Sequence, residues 1–261
     1  MTLIIDGNHS KAKVAMSVSD SLVVQPTNFF EDGLDGETEY LKNRDDKVKR
    51  LTNKVFFRSG GVRELCEWFY ERLSDKVQPD DPLEICKQKA RKVYYEMVEE
   101  EKQIDKGLDY DDDSYWLNFL YDEKGLPVCL NGFYEDGKTG MVNFSHGAWI
   151  EKEHPQRWVT SMVAPAVENE EKINYYLSRL NRVEKPGAHL MFYEYLMAFR
   201  DLLKECVGKV SKDMFVRINV NKDGEMAYLE HHIENVYDDE ECMPFYSALK
   251  QLEELDLEGV S

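Results

Sequence analysis

The stretch LPVCLNGFYEDGKTGMVNF, residues 126–144, consists of two apolar runs on either side of a short polar turn. The turn contains Asp136 and Gly137, and an Asp-Gly pair between apolar runs is a strong signal for a β-hairpin. Residues 157–163 follow as the predicted third strand of the same sheet. This segment predicts an antiparallel sheet in the middle of the chain.

Both ends of the chain show the same kind of pattern. Residues 2–5 form a short apolar run, and residues 11–19 alternate between apolar and polar side chains, which predicts a hairpin. Near the carboxyl end, residues 214–220 and 225–232 flank a turn at 221–224. Antiparallel hairpins therefore supply the strands of the predicted fold.

Apolar residues at helical spacing predict five amphipathic helices, at 59–74, 80–101, 168–182, 187–207 and 244–255. Strands and helices do not alternate regularly, as they would in a doubly wound sheet. We therefore predict an α+β fold in which antiparallel β-hairpins pack against several amphipathic helices on one side. The length of 261 residues suits a single domain. Two lobes, 1–108 and 114–261, joined by an acidic linker at 109–113, are the alternative.

The charge of the chain is its strongest clue to function. Lys and Arg number 33 and Asp and Glu number 51, which gives a net charge of −18. Such a chain repels nucleic acid and anionic membrane surfaces, so direct binding to either is disfavoured and a cationic partner is favoured. The five cysteines show no CxxC pair, which argues against a zinc site or a disulfide framework and suggests a reducing, cytoplasmic location.

Carboxylates spaced along a surface can imitate a phosphate backbone and pair with the basic surface of a nucleic-acid-binding protein. Our leading hypothesis is an inhibitor or adaptor that blocks such a partner, a nuclease, polymerase or defence enzyme, as virus-encoded inhibitors do. A homodimer is also expected from the aromatic content. The predicted partner-binding residues are Glu99, Glu100, Glu101, Asp109, Asp111, Asp112, Asp113, Asp238, Asp239, Glu240 and Glu241.

An enzyme is the second hypothesis, and it rests on the opening segment LIIDGNH, residues 3–9. An acidic residue that closes a short apolar strand is able to hold a catalytic metal. The segment resembles the opening of the PIN and flap-endonuclease families, and the resemblance covers about seven residues. It implies a metal-dependent hydrolase or nuclease in which Asp6 is a metal ligand, whereas a plain Asp-Gly turn is the simpler interpretation.

A calcium-stabilised structural protein is the third hypothesis. Four candidate ligands match positions 1, 3, 5 and 12 of an EF-hand loop, namely Asn219, Asn221, Asp223 and Glu230. The flanking residues alternate like strands, whereas an EF-hand needs helices, so a hairpin is preferred. The sequence has no GxSxG or P-loop motif. We therefore predict no catalytic residue and no cofactor, and an enzyme is the less favoured class.

Overall fold

A computed structural model describes the chain except for residues 1–2, 27–39, 45–46, 60–62, 106–127, 146–147, 153–156, 165–166, 168, 183–186, 207–209, 223 and 255–261. Within these described ranges the fold contains two five-stranded antiparallel sheets, one two-stranded sheet and five helices. The predicted α+β class, with antiparallel hairpins and amphipathic helices, is confirmed.

The first sheet joins strands from both ends of the chain, in the order β10-β1-β2-β11-β12. All its neighbouring strands are antiparallel, and both predicted terminal hairpins are present. Its strands are β1 (Ile4–His9), β2 (Val14–Ser19), β10 (Val159–Val163), β11 (Met214–Lys222) and β12 (Glu225–Ile233).

The second sheet runs in the order β5-β6-β7-β8-β9 and contains the hairpin predicted at residues 126–144. Its strands are β5 (Val48–Arg50), β6 (Val55–Ser59), β7 (Val128–Phe133), β8 (Thr139–Ser145) and β9 (Ala148–Lys152). A separate pair consists of β3 (Leu22–Pro26) and β4 (Tyr40–Arg44). Residues 157–163 were predicted in this second sheet, and that assignment is wrong. Strand β10 pairs with β1 in the first sheet instead.

The helices cover the outer faces of both sheets. Helices α1 (Arg63–Ser74) and α2 (Leu83–Asp105) share an apolar core with the second sheet. Helices α3 (Glu170–Leu180), α4 (Ala188–Leu203) and α5 (Asp239–Glu254) share another with the first sheet. Each sheet carries helices on one face, and its other face packs against the other sheet, so β1 and β2 are buried along their whole length. The result is four layers, helix-sheet-sheet-helix.

A third, smaller apolar cluster lies between the sheets, and buried polar contacts cross beside it. Arg58 on β6 pairs with Asp6 on β1 at 2.7 Å from Nε to Oδ2. Asn131 on β7 donates through Nδ2 to the carbonyl oxygens of Gly7 and Met16, at 3.1 and 3.0 Å. Directional bonds such as these fix how one sheet is positioned over the other.

The division into lobes at residues 109–113 stays a prediction, because the linker lies outside the described ranges. Sheet pairing does run between the two predicted lobes, at β1–β10, β2–β11 and β6–β7. In the described part of the chain, no helix has both the length and the apolar character needed to cross a membrane.

Candidate functional site

Four strand ends meet at one edge of the sheet sandwich. The register pairs Ile4 with Ser19, so Asp20, just after β2, lies beside Leu3, just before β1. The register between β2 and β11 pairs Ser19 with Phe215, which brings the segment before β11 to the same place. Lys47 precedes β5 of the second sheet and completes the group. This edge therefore collects polar residues that are distant in the sequence.

Asp20 and Lys47 form a buried ion pair here, which we call the Lys47–Asp20 site. Lys47 Nζ lies 2.6 Å from Asp20 Oδ1, and the two side chains are 8% and 0% exposed. The same carboxylate oxygen accepts the backbone N–H of Leu3 at 2.8 Å, and the Asp20 N–H donates to the Leu3 carbonyl oxygen at 3.0 Å. The pair is thus bonded directly to the residue that follows Thr2.

The electrostatics of this carboxylate depend on its partners. Burial raises the pKa of Asp20 above its ordinary value, against the opposing effects of the Lys47 charge and of hydrogen bonds from the Leu3 and Ser211 backbones. Removing a pair of charges from water is costly unless hydrogen bonds satisfy them. Apolar side chains would stabilise the core equally well at this place. The ion pair beside the start of β1 therefore costs desolvation free energy that stability alone does not require.

A second polar group adjoins the Lys47–Asp20 site. Ser21 donates its backbone N–H to Ser211 Oγ at 3.1 Å and its hydroxyl to Asp213 Oδ2 at 2.5 Å. Asp213 is 2% exposed, and His232 Nε2 lies 3.0 Å from the same Oδ2 atom. Burial works against ionisation of Asp213, but hydrogen bonds from Ser21, Ser211 and His232 outweigh it and lower the pKa of this carboxyl. The site is therefore supported on the β11–β12 side by a hydrogen-bonded network.

Thr2 lies outside the described residues, but the sequence joins it directly to Leu3. A threonine hydroxyl becomes a nucleophile when an amine beside it accepts its proton, and the amine of an N-terminal threonine is one known base. A lysine ammonium held by a carboxylate supplies positive charge for a developing oxyanion. Threonine and lysine are thus residue types that acyl-transfer chemistry uses.

Asp6, the predicted metal ligand, has other partners in the structure. Its Oδ2 accepts Arg58 Nε at 2.7 Å, and its Oδ1 accepts the hydroxyl of Ser17 at 2.5 Å. Asp6 is fully buried between the sheets. Among the residues that the structure describes, no group of three or more His, Cys, Asp or Glu is placed to hold a metal. The carboxylate serves as the counter-ion of Arg58.

The four calcium candidates lie along the β11–β12 hairpin. Asn219 is buried opposite Tyr228, Asn221 Oδ1 accepts the Gly224 N–H at 3.0 Å, and Asp223 lies outside the described residues. Glu230 pairs with Arg217 at 3.1 Å across the hairpin. The helices that an EF-hand requires are replaced by strands, as the alternation predicted. Calcium binding itself stays a prediction.

The acidic residues predicted to bind a partner are placed only in part. Glu99 and Glu100 are exposed on α2, whereas the Glu101 side chain and residues 109–113 lie outside the described parts. Glu100 makes a two-pronged contact with Arg72, at 2.7 Å for each nitrogen–oxygen pair. Asp239 pairs with Arg200 at 2.8 Å. The acidic side chains at 238, 240 and 241 are exposed or half-exposed around the start of α5. Some of this charge is thus offset within the chain.

The Lys47–Asp20 site has no local signal in the sequence that joins its two members, because they are far apart along the chain. Asp20 and Lys47 are separated by 26 residues, from 21 to 46, and no motif links them. The available signal was a polar triplet, Ser19-Asp20-Ser21, directly after a predicted strand that pairs with the start of the chain. A carboxylate at that strand end has to lie beside residues 2 and 3 once the hairpin forms.

Many solved structures resemble this fold, and two of them illustrate the likeness. A Gly-1 mutant of Anbu from Hyphomicrobium sp. strain MC1 aligns with a TM-score of 0.58 at 12% sequence identity, over 97% of this chain and 97% of that one. Anbu from Yersinia bercovieri, described as an ancestral beta-subunit, aligns with a TM-score of 0.57 at 11% identity, over 99% of this chain and 96% of that one. No protein-family model and no curated protein matches the sequence. The likeness at these identities concerns the fold.

Proposed function

We propose that this chain is an amide-bond hydrolase whose nucleophile is the hydroxyl of Thr2, with cleavage of the Met1–Thr2 peptide bond exposing the Thr2 amine. One observation carries the proposal, namely the buried Lys47–Asp20 ion pair bonded to the Leu3 backbone at 2.8 Å. A buried charge pair at a strand end next to a threonine combines a nucleophile with a charge-stabilising group. The proposal departs from the sequence-based expectation of a binding protein without activity.

The shared fold gives the proposal additional support. One of the two solved structures is described as an ancestral beta-subunit, and the alignment covers nearly all of both chains. A fold by itself does not establish an activity, so the residues at the strand ends carry the proposal. Asp20 and Lys47 directly adjoin the ends of strands β2 and β5, and sheet strands position neighbouring groups more accurately than loops do.

The proposed reaction proceeds in two halves. The Thr2 hydroxyl oxygen attacks the carbonyl carbon of the substrate amide while its proton passes to the Thr2 α-amine, whose ordinary pKa is about 8. The tetrahedral intermediate collapses, the C–N bond breaks, and the ammonium returns the proton to the departing amine. Water then attacks the resulting ester through the same base, which releases the acid and restores the Thr2 hydroxyl.

Asp20 and Lys47 act on this sequence by position and charge. Asp20 Oδ1 accepts hydrogen bonds from both Lys47 and the backbone N–H of Leu3, so one carboxylate holds the lysine and the backbone of the residue that follows Thr2. Lys47 is 8% exposed, and a positive charge in such a dry environment interacts more strongly with developing negative charge than it would in water. Loss of Lys47 should therefore slow both the acylation and the hydrolysis of the ester.

A peptide-amide hydrolysis assay tests the proposal. A library of fluorogenic peptide amides is incubated with wild-type protein, Thr2→Ala, Lys47→Met and the matched control Lys89→Met. Lys89 forms an ion pair with Asp81, with 2.5 Å between Nζ and Oδ2, and this pair is not part of the site. We expect hydrolysis by the wild type and the control, and a loss of roughly 100-fold or more in the other two. Equal rates for all four proteins would contradict the assignment.

The charge-mimicry hypothesis remains a prediction beside this proposal, together with the protein partner, the homodimer and the cytoplasmic location that were predicted with it. Its test is a pull-down from nuclease-treated lysate with washes at low and high salt. Retention of a nucleic-acid-binding protein at low salt, and its loss when Asp238, Asp239, Glu240 and Glu241 are neutralised, would support it. A chain without activity that retains such a partner would favour it over the hydrolase.

A further inference from the structure

His232 sits at the outer end of the polar network next to the Lys47–Asp20 site. It is the penultimate residue of β12, and its ring stacks on Phe215 with centroids 4.3 Å apart and planes 15° from parallel. Its Nε2 lies 3.0 Å from Asp213 Oδ2, and the side chain is 32% exposed. The stacking restricts the plane of the imidazole, so its Nε2 atom is held facing the Asp213 carboxylate.

Asp213 links His232 to the more deeply buried Ser21. Its Oδ2 atom accepts from His232 and, at 2.5 Å, from the Ser21 hydroxyl. Its Oδ1 atom is buried without a hydrogen-bond partner in the described part of the chain. A half-satisfied buried carboxylate relies heavily on the bonds that it does make. Removing one of its donors should therefore rotate or displace the group and disturb the serines bonded to it.

The serines connect Asp213 to the site. Hydrogen bonding from the Ser211 side chain lowers the pKa of Asp213, and hydrogen bonding from the Ser211 backbone lowers the pKa of Asp20. Ser21 directly follows Asp20 in the chain. Its position is restricted because its backbone N–H donates to Ser211 Oγ at 3.1 Å. The path from His232 to Lys47 thus runs from His232 to Asp213 at 3.0 Å, from Asp213 to the Ser21 hydroxyl at 2.5 Å, along the chain from Ser21 to Asp20, and from Asp20 to Lys47 at 2.6 Å.

We propose that His232 and Asp213 are positioning residues that hold Asp20, and through it Lys47, in the arrangement that the proposed hydrolase needs. This inference rests on the proposed function for its effect on rate, but the coupling between His232 and Asp20 stands on the contacts alone. The effect of His232 and Asp213 on the reaction is a fixed geometry for the Lys47–Asp20 pair, and small displacements of such groups are costly to rate.

The neighbouring residue His231 offers a matched control. It lies on the opposite face of β12, where its ring stacks on Phe245 of α5 with centroids 4.9 Å apart. Removing His231 therefore changes the helix layer and leaves the path to Asp20 unchanged. Arg217 and Glu230 are the charged groups beside His232 on the hairpin, and they pair with each other.

The experiment compares wild type, His232→Leu, His232→Gln and His231→Leu, each confirmed as folded by circular dichroism. The first readout is the Asp20 carboxyl pKa from carbon NMR, which requires no activity. Because the Ser211 N–H bond lowers that pKa, its disturbance in His232→Leu should raise the pKa further. His232→Gln, whose amide can donate to Asp213, should restore the wild-type value, and His231→Leu should not change it.

The second readout is hydrolysis of a peptide amide. We expect kcat to fall about 10- to 100-fold in His232→Leu, with little change in KM, and to recover in His232→Gln. An Asp20 pKa and a kcat that are both unchanged in His232→Leu would overturn the inference. If the wild type does not hydrolyse any peptide amide, the proposed function fails. A raised Asp20 pKa in His232→Leu would then still support the coupling, and an unchanged pKa would refute it.

Discussion

The buried contact between Arg58 and Asp6 predicts a large and specific loss of stability. Replacing Arg58 with Met removes the guanidinium and leaves the Asp6 carboxylate buried between the sheets, where the Ser17 hydroxyl is its one remaining side-chain partner among the described residues. The two side chains of the pair are 5% and 0% exposed, so little water can replace the lost partner. An isolated buried charge is among the most costly features that a substitution can create.

The expected magnitude follows from this burial. Breaking a buried pair by removing one member costs about 3–5 kcal/mol of unfolding free energy. A change of 1 kcal/mol shifts the melting temperature by roughly 2–4 °C in a chain of this size class, so the expected drop is roughly 6–20 °C. The double variant Asp6→Leu/Arg58→Met removes both charges and should recover much of that loss, because apolar replacements of buried pairs are often nearly neutral.

Urea unfolding followed by circular dichroism measures the unfolding free energies of wild type, Asp6→Leu, Arg58→Met and the double variant, which together form a double-mutant cycle. A loss below about 1 kcal/mol in Arg58→Met, or single losses that simply add in the double variant, would refute the reasoning. The same samples address the metal hypothesis for Asp6. Since its carboxylate is occupied by Arg58, added Mg²⁺ or Mn²⁺ should leave the wild-type melting temperature unchanged. A clear rise would contradict that assignment.

Two further predictions concern other carboxylates. Glu253 near the end of α5 bonds the backbone N–H groups of Ala188 and His189 at the start of α4, where no side-chain cap is present. Glu253→Ala should therefore cost about 1 kcal/mol, measured by urea unfolding against the exposed control Glu225→Ala. Asp213 has a lowered pKa, so its contribution to stability is present above its ordinary value of 3.8 and is lost as the pH falls through the folded-state value. The stability difference between wild type and Asp213→Asn should then shrink below about pH 4 in an acid titration.

Each of these predictions has an opposing outcome. Equal losses in Glu253→Ala and Glu225→Ala would show that the cap does not stabilise α4. A stability difference for Asp213→Asn that stays constant, or grows, as the medium is acidified would contradict the lowered pKa. Asp75 is exposed, so the variant Asp75→Asn is the control for Asp213→Asn and reports the general effect of removing a carboxylate.

Local features of the fold were predictable from the sequence. The Asp136-Gly137 turn and the alternation around residue 224 specify hairpins between neighbouring segments, and both are present. The third strand at 157–163 was assigned to the wrong sheet because its partner, β1, lies about 150 residues earlier in the chain. Strand patterning identifies which segments are extended, but it does not specify which distant strand completes the ladder.

The candidate site was hidden for a related reason. The net charge favoured a binding surface made of exposed acidic clusters. The acidic residues on which the proposals rest, Asp20 and Asp213, are instead 0% and 2% exposed. Composition does not distinguish a buried carboxylate from an exposed one. The distinction appears only after strand register brings Asp20 beside Leu3 and places Asp213 next to Ser21. Thr2 gave no signal because a single threonine beside a short apolar run is common.

The central claim is tested most directly by acylation of Thr2. Wild-type protein and Lys47→Met are incubated with a peptide β-lactone, which acylates a reactive hydroxyl, and the site of modification is mapped by mass spectrometry. The account predicts a wild-type chain that begins at Thr2 and carries one acyl group on that residue, with little or no adduct in Lys47→Met. A chain that begins at Thr2 but stays unmodified, or is acylated equally with and without Lys47, would contradict it.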